Sequence, residues 1–204
     1  MSSFKPSTLE KGILSSAAKS SGPWEFEKWK PIKGKLKIHL KEKTNQRCCY
    51  CRRSLLNTHN MSIDIEHVLP QKAFPKHVFS LKNLSVSCKR CNMGIKNQDQ
   101  SFFLMKSGAR RPFRARNFSI LHPNLVNIDA HLLLEVHQIG TKSFIKYHRS
   151  QDPRAKRTYE YFKLKDIETG TLDSAQGLRD LTEMKSRLEH EIGVVERLLE
   201  SSRG

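Results

Sequence analysis

A chain of 204 residues can bury one substantial core or two small ones. Lys and Arg number 37 against 20 Asp and Glu, a formal net charge of +17. The expected partner is therefore a polyanion, of which nucleic acid is the commonest. No apolar run approaches the roughly 20 residues of a membrane span, and "MSSFKPSTLEKG" lacks the apolar stretch of a secretory signal, so the expectation is a cytoplasmic protein with no membrane partner.

Residues 1–23, rich in Ser, Lys and Pro, read as an aperiodic arm. Residues 24–104 read as one unit with a leading helix. Trp24, Phe26, Trp29, Ile32, Leu36 and Leu40 alternate with charges, the Leu36–Leu40 spacing is helical, and Pro31 suits a first helical turn. "SIDIEHVL" and "NLSVSC" carry the alternation of strands, and "NMGIKNQDQSFFLM" reads as a helix. Residues 105–204 form a C-terminal region. It opens on a basic loop broken by Gly108 and Pro112, and "LLLEVHQIGTKSFIKYHR" then reads as two strands about a Gly turn. "DPRAKRTYEYFKL" begins as helices begin. From Ser174, Leu178, Leu181, Leu188, Ile192, Val195 and Leu199 follow a heptad spacing interrupted by Lys185, which suits either a helix packed on its own domain or one that docks a partner. The class is α+β.

Five cysteines sit in two clusters, "CCYCRR" and "SCKRCN". Cys48 with Cys51, and Cys88 with Cys91, make two CxxC knuckles, a common way to assemble a four-thiolate zinc site. Such a set leaves no position for water, so its role is structural. In a reducing compartment metal ligation outranks the disulfide and redox readings. Cys49 would spoil the knuckle spacing and reads as a small buried hydrophobe.

Between the knuckles lie "IDIEHVLPQKAF" and "KNLSVSCKRCN". Histidine can take a proton from water near neutral pH, which makes His67 the candidate general base. A hard cation prefers oxygen ligands, and Glu66 and Asn92 offer a carboxylate and an amide oxygen. Glu66 and His67 are adjacent on a strand, so a regular ladder points them to opposite faces. With the acid–His pair, Pro70, Asn83 and Asn92 in this order between two knuckles, residues 46–104 resemble the HNH endonuclease family.

The resemblance implies a ββα-metal core that cuts DNA to 5′-phosphate and 3′-hydroxyl ends. It implies that Glu66 and Asn92 hold a catalytic Mg²⁺ or Mn²⁺ and that Asn83 braces the loop supplying a backbone carbonyl to the second ring nitrogen of His67. Two residues depart from the family pattern: Glu66 stands where Asp is commoner, and the helix lysine is Lys96, one place later than usual, with Ile95 in its stead. Lys96 could still contact a phosphate, and Asp64 could stand behind the ligands or simply lie on the strand surface. Arg110, Arg111 and Arg114 are the remaining candidate phosphate contacts, in a stretch from Lys89 to Arg116 whose single acid is Asp99. His122 in "LHPNL" is the most site-like of the other histidines. The layout is similar to bacterial anti-phage nucleases of the Septu type, in which the HNH subunit works beside an ATPase partner. A zinc-ribbon nucleic-acid binder without catalysis is the alternative, and an interaction subunit is a third reading compatible with the first.

Overall fold

The computed structural model describes residues 4–106, 109–139 and 142–169. The heptad segment from Ser174 lies outside them. Two compact units divide the chain: Met1–Leu134 with Tyr147–Lys165, and Glu135–Lys146 with Asp166–Gly204. The expected boundary at 104/105 thus falls inside the first unit, which also holds every candidate site residue. No helix among the described residues is long and apolar enough to cross a membrane.

The first element is a helix, α1 (Thr8–Lys19), within the segment expected to be an arm. Its start is a capping box. The Ser7 hydroxyl accepts from the Glu10 N–H at 3.2 Å, and the Glu10 carboxylate accepts from the Ser7 N–H at 2.8 Å. The S-x-x-E signal stands in the sequence, but the weak apolar periodicity behind it conceals the helix.

Helix α2 (Lys30–Lys43) places Pro31 in its first turn, where a missing N–H costs nothing. Ile32, Leu36 and Leu40, spaced four apart, form its buried stripe, and the helix packs on β2. Lys41 and Lys43 in the last turn suit the negative end of the helix dipole. Asn45 and Gln46 then take left-handed backbone (φ 52° and 54°) and turn the chain into the first knuckle.

β1 (Ile63–His67) and β2 (Leu84–Cys88) pair antiparallel in a regular register from Ile63 opposite Cys88 to His67 opposite Leu84. A helical segment of π type follows at Arg90–Lys96. It ends earlier than the sequence pattern suggests. Asn97 adopts φ 46°, and Asp99 accepts from both the N–H and the hydroxyl of Ser101, so local side-chain bonds replace further helical ones. Phe103 then pairs with Phe118, and Leu104 N–H donates to Asn117 O, closing the base of the basic loop.

β3 (Leu132–Ile139) and β4 (Lys142–Arg149) form a second two-stranded sheet. In the second unit, Ile145 and Thr169 exchange backbone hydrogen bonds of 3.0 and 3.2 Å. α3 (Pro153–Tyr161) begins as its "DP" start suggests, with the Asp152 carboxylate accepting from the Arg154 N–H.

Leu36 is 1 % exposed and Ile38, two positions on, is 61 % exposed. Leu36→Ala should lower the urea-unfolding free energy by about 2–5 kcal/mol, the range for a truncated core leucine. Ile38→Ala should change it by less than about 0.5 kcal/mol. A larger loss for Ile38→Ala than for Leu36→Ala would mean that the helix faces the other way.

Candidate active site and metal centre

The two knuckles come together. The Sγ atoms of Cys48, Cys51, Cys88 and Cys91 all lie within 4.8 Å of one another, and Cys51 Sγ is 3.8 Å from Cys88 Sγ. Four sulfurs each about 2.3 Å from a shared zinc ion would sit about 3.8 Å apart, so the cluster fits that ion. The Cys88 N–H points at Cys48 Sγ over 3.4 Å, the kind of donor that a thiolate attracts. Burial pushes the Cys48 thiol up, and neighbouring thiols push Cys51 and Cys91 up. A divalent cation supplies what would let these sulfurs lose their protons together. Cys49 is buried beside the cluster but outside it.

The knuckle loop is clamped at Tyr50, Cys51 and Arg52. The Tyr50 hydroxyl donates to Glu66 Oε1 at 2.8 Å, and its ring stacks on Phe162 at 4.1 Å. The Tyr147 hydroxyl donates to Cys51 O at 2.6 Å. Arg52, in left-handed backbone, donates through Nε and Nη2 to both carboxylate oxygens of Asp129.

Next to this centre is a cavity of about 620 Å³, bordered by β1, the π segment, α2 and Trp24. Glu66, His67, Asp64 and Asn92 all line it. The β1 register is regular, and each side chain finds its own partners. Glu66 turns toward Tyr50 and Lys96, whereas the His67 ring meets Trp24 edge-on, with centroids 4.4 Å apart.

His67 Nε2 lies 3.1 Å from Val78 O. A carbonyl only accepts, so Nε2 carries the hydrogen and the lone pair is left on Nδ1. Burial pulls the His67 pKa down to about 4, against the opposing pull of the Val78 carbonyl, and the ring is neutral at pH 7. The carbonyl is held by the loop between the strands, and Asn83 spans that loop. Its Oδ1 accepts from Leu69 N–H, and its Nδ2 donates to Leu69 O and His77 O, at 2.8, 3.1 and 3.2 Å.

Asn92 Nδ2 donates to Asp64 Oδ2 at 3.1 Å. That bond uses the amide nitrogen and leaves the amide oxygen as a potential donor to a cation. Glu66 is 1 % exposed, and its Oε1 already takes the Tyr50 hydroxyl and the Lys96 ammonium, the latter at 2.9 Å. Burial raises the Glu66 carboxyl, and Lys96 pulls it back. With Asp64, the wall carries a set of oxygens of the kind that a hard cation takes.

Lys96, considered above as a phosphate contact, is itself 1 % exposed and committed to Glu66. The π geometry bears on its late position. Asn97 N–H reaches back five residues to Asn92 O, at 2.6 Å, so this turn holds one residue more than an α-turn. Arg110, Arg111 and Arg114 are exposed and lie away from the cavity. Their loop is pinned by Asn117 Nδ2, which donates to Arg111 O and Pro112 O, and by Phe113, edge-on to His77. His122 is a core residue packed on Phe118, with Nδ1 accepting from Asn124 N–H and a pKa pulled down to about 3 by burial. Two site neighbours escape motif reading. Tyr50 carries no signal beyond its place inside a knuckle, and Trp24 reads as one more apolar residue.

No family model matches the chain, and no solved structure matches it. Over 57 residues, 28 % of its length, the chain is 39 % identical to a Bacillus thuringiensis protein described as Septu protein PtuB. The aligned stretch spans 22 % of that relative.

The purified protein should carry one zinc per chain by elemental analysis. Serine at Cys48, Cys51, Cys88 or Cys91 should abolish it together with folding, while Cys49→Ser keeps it; well-folded protein without zinc would remove the centre. Lys96→Ala strands a buried carboxylate and should destabilise the chain by about 3–5 kcal/mol. Adding Glu66→Gln should restore part of that loss in a urea melt, which a lysine devoted only to phosphate would not do.

Proposed function

We propose that this protein is a metal-dependent HNH-type endonuclease of the Septu kind, hydrolysing DNA to 5′-phosphate and 3′-hydroxyl ends in anti-phage defence. The observation that carries the reading is the arrangement of His67. Its proton-bearing nitrogen is fixed on Val78 O, and its basic nitrogen belongs to a ring bordering a cavity that also holds Glu66, Asp64 and Asn92. The likeness to Septu protein PtuB supports the defence context, and an ATPase partner belongs to the same proposal.

In this reading His67 Nδ1 takes a proton from the attacking water, and Val78 O, held by Asn83, steadies the ring as it gains charge. Glu66 and Asn92 would hold Mg²⁺ or Mn²⁺, with Asp64 turning the Asn92 amide so that its oxygen is left for the ion. The ion, when bound, neutralises the phosphate and the leaving 3′-oxygen. Arg110, Arg111 and Arg114 contact phosphates beyond the scissile one. The zinc-ribbon binder without catalysis has one observation in its favour, the Lys96 ammonium already on Glu66.

Plasmid cleavage with Mg²⁺ or Mn²⁺ separates the two readings. His67→Ala should keep zinc and DNA binding but lose cleavage about a hundredfold or more. Asn92→Ala should lose cleavage too and regain part of it at high metal concentration, whereas His67→Ala regains none. Protonated His67 is no base, so activity should be level from pH 8 to about 5 and fall as the pH drops through about 4, the value to which burial lowers the ring. Wild-type cleavage by His67→Ala would remove His67 as the base, and wild-type protein that binds DNA without cutting it under any of these conditions would establish the binder instead.

A further inference from the structure

α2 turns one face to the core and another to the cavity. On the cavity face stand Lys33, Gly34 and Lys37, which line the same cavity as His67 and Asn92. The helix carries other lysines whose charge is spent on acids: Lys30 meets Glu27 at 2.7 Å and Lys35 meets Glu10 at 2.6 Å. Lys33 and Lys37 are held differently. Lys33 Nζ donates to Trp24 O at 2.9 Å while lying over the Trp24 ring, and Lys37 Nζ donates to Asn60 O at 2.7 Å. A carbonyl orients an ammonium without neutralising it, and each lysine keeps two N–H donors for another acceptor. The acids that face them, Glu25 and Asp64, act on them only through space. Both ammoniums are partly desolvated, which lowers their pKa values and is relieved by an arriving anion.

Gly34 is the second observation. A glycine inside a helix weakens it relative to alanine. Here packing does not demand it, because a Cβ at Gly34 would meet nothing within 4 Å. What a side chain would enter at this position is the cavity itself.

We propose that Lys33, Gly34 and Lys37 form a docking rail for the phosphodiester backbone of duplex DNA, seating the strand in the cavity that His67 lines. The inference rests on the nuclease reading and adds a binding site contributed by α2, outside the segment between the knuckles. The two lysines are one turn apart, about 6 Å along the helix. They flank the glycine, over which the backbone passes closest. Trp24, in contact with both Lys33 and His67, joins the rail to the catalytic ring.

The test is fluorescence anisotropy with a labelled DNA duplex across a salt series, using His67→Ala protein without added divalent metal so that nothing is cut. Adding Lys33→Gln and Lys37→Gln should flatten the log–log salt dependence by about 1.8, close to 0.9 per lost phosphate contact. Gly34→Glu should weaken binding by about tenfold or more, through a blocked path and an added negative charge, and Gly34→Ala, whose methyl enters the same path, should weaken it by less. Circular dichroism and zinc content should match the parent in every variant. If the parent binds while the double-lysine variant keeps its slope and Gly34→Glu keeps its affinity, the rail is wrong and the nuclease reading stands. A parent that does not bind duplex at all overturns both.

Discussion

Four sulfurs drawn within 4.8 Å of one another fix the geometry on which everything else in the first unit depends. They tie the turn after α2 to the end of β2 and the start of the π segment. Asn92 follows Cys91 directly, and Tyr50 sits inside the other knuckle with its hydroxyl on Glu66. The cluster therefore sets the positions of residues from two walls of the cavity without touching it. Strand pairing alone could not do so, since a hairpin with a long connection leaves both outer ends of its strands free to splay.

The inner end of the hairpin is governed by a different device. Asn83 is wholly buried and replaces several backbone partners at once, holding Leu69 and His77 in one loop conformation. His67 depends on that loop for its tautomer. Charge on the cavity floor is managed by proximity: Glu66 is buried at a cost that Lys96 and Tyr50 offset. An arriving cation would share or displace the ammonium, so the affinity of the site for metal is tied to where Lys96 can go.

Much of this was legible in the sequence because short-range spacing encodes it. The knuckles, α2 from its apolar stripe and Pro31, both hairpins and α3 from Asp152–Pro153 fall where the patterns put them, to within a few residues. What escaped has a physical reason in each case. α1 hides because its capping signal precedes a helix with one fully buried residue, Ala17. The helix after Cys91 stops short because Asn97 and Asp99 satisfy the backbone locally, an outcome of side-chain competition and not of hydrophobic period. Lys96 reads as a surface cation until the fold supplies Glu66 beside it. Trp24, Lys33 and Lys37 border the cavity only because α2 packs across β2, a long-range fact that no local pattern carries.

Arg90 has a reach that extends past the metal centre. Its guanidinium donates to Phe162 O and Lys163 O, the carbonyls just past α3, at 2.9 and 2.8 Å, while its own backbone adjoins Cys91. Lys163 sits there in left-handed backbone, a conformation that a non-glycine residue keeps only when held. Phe162 in turn supports Tyr50. The end of α3 and the second knuckle consequently belong to one opening unit. A metal held by the four sulfurs would therefore slow solvent exchange of the α3 amides, although α3 offers it no ligand.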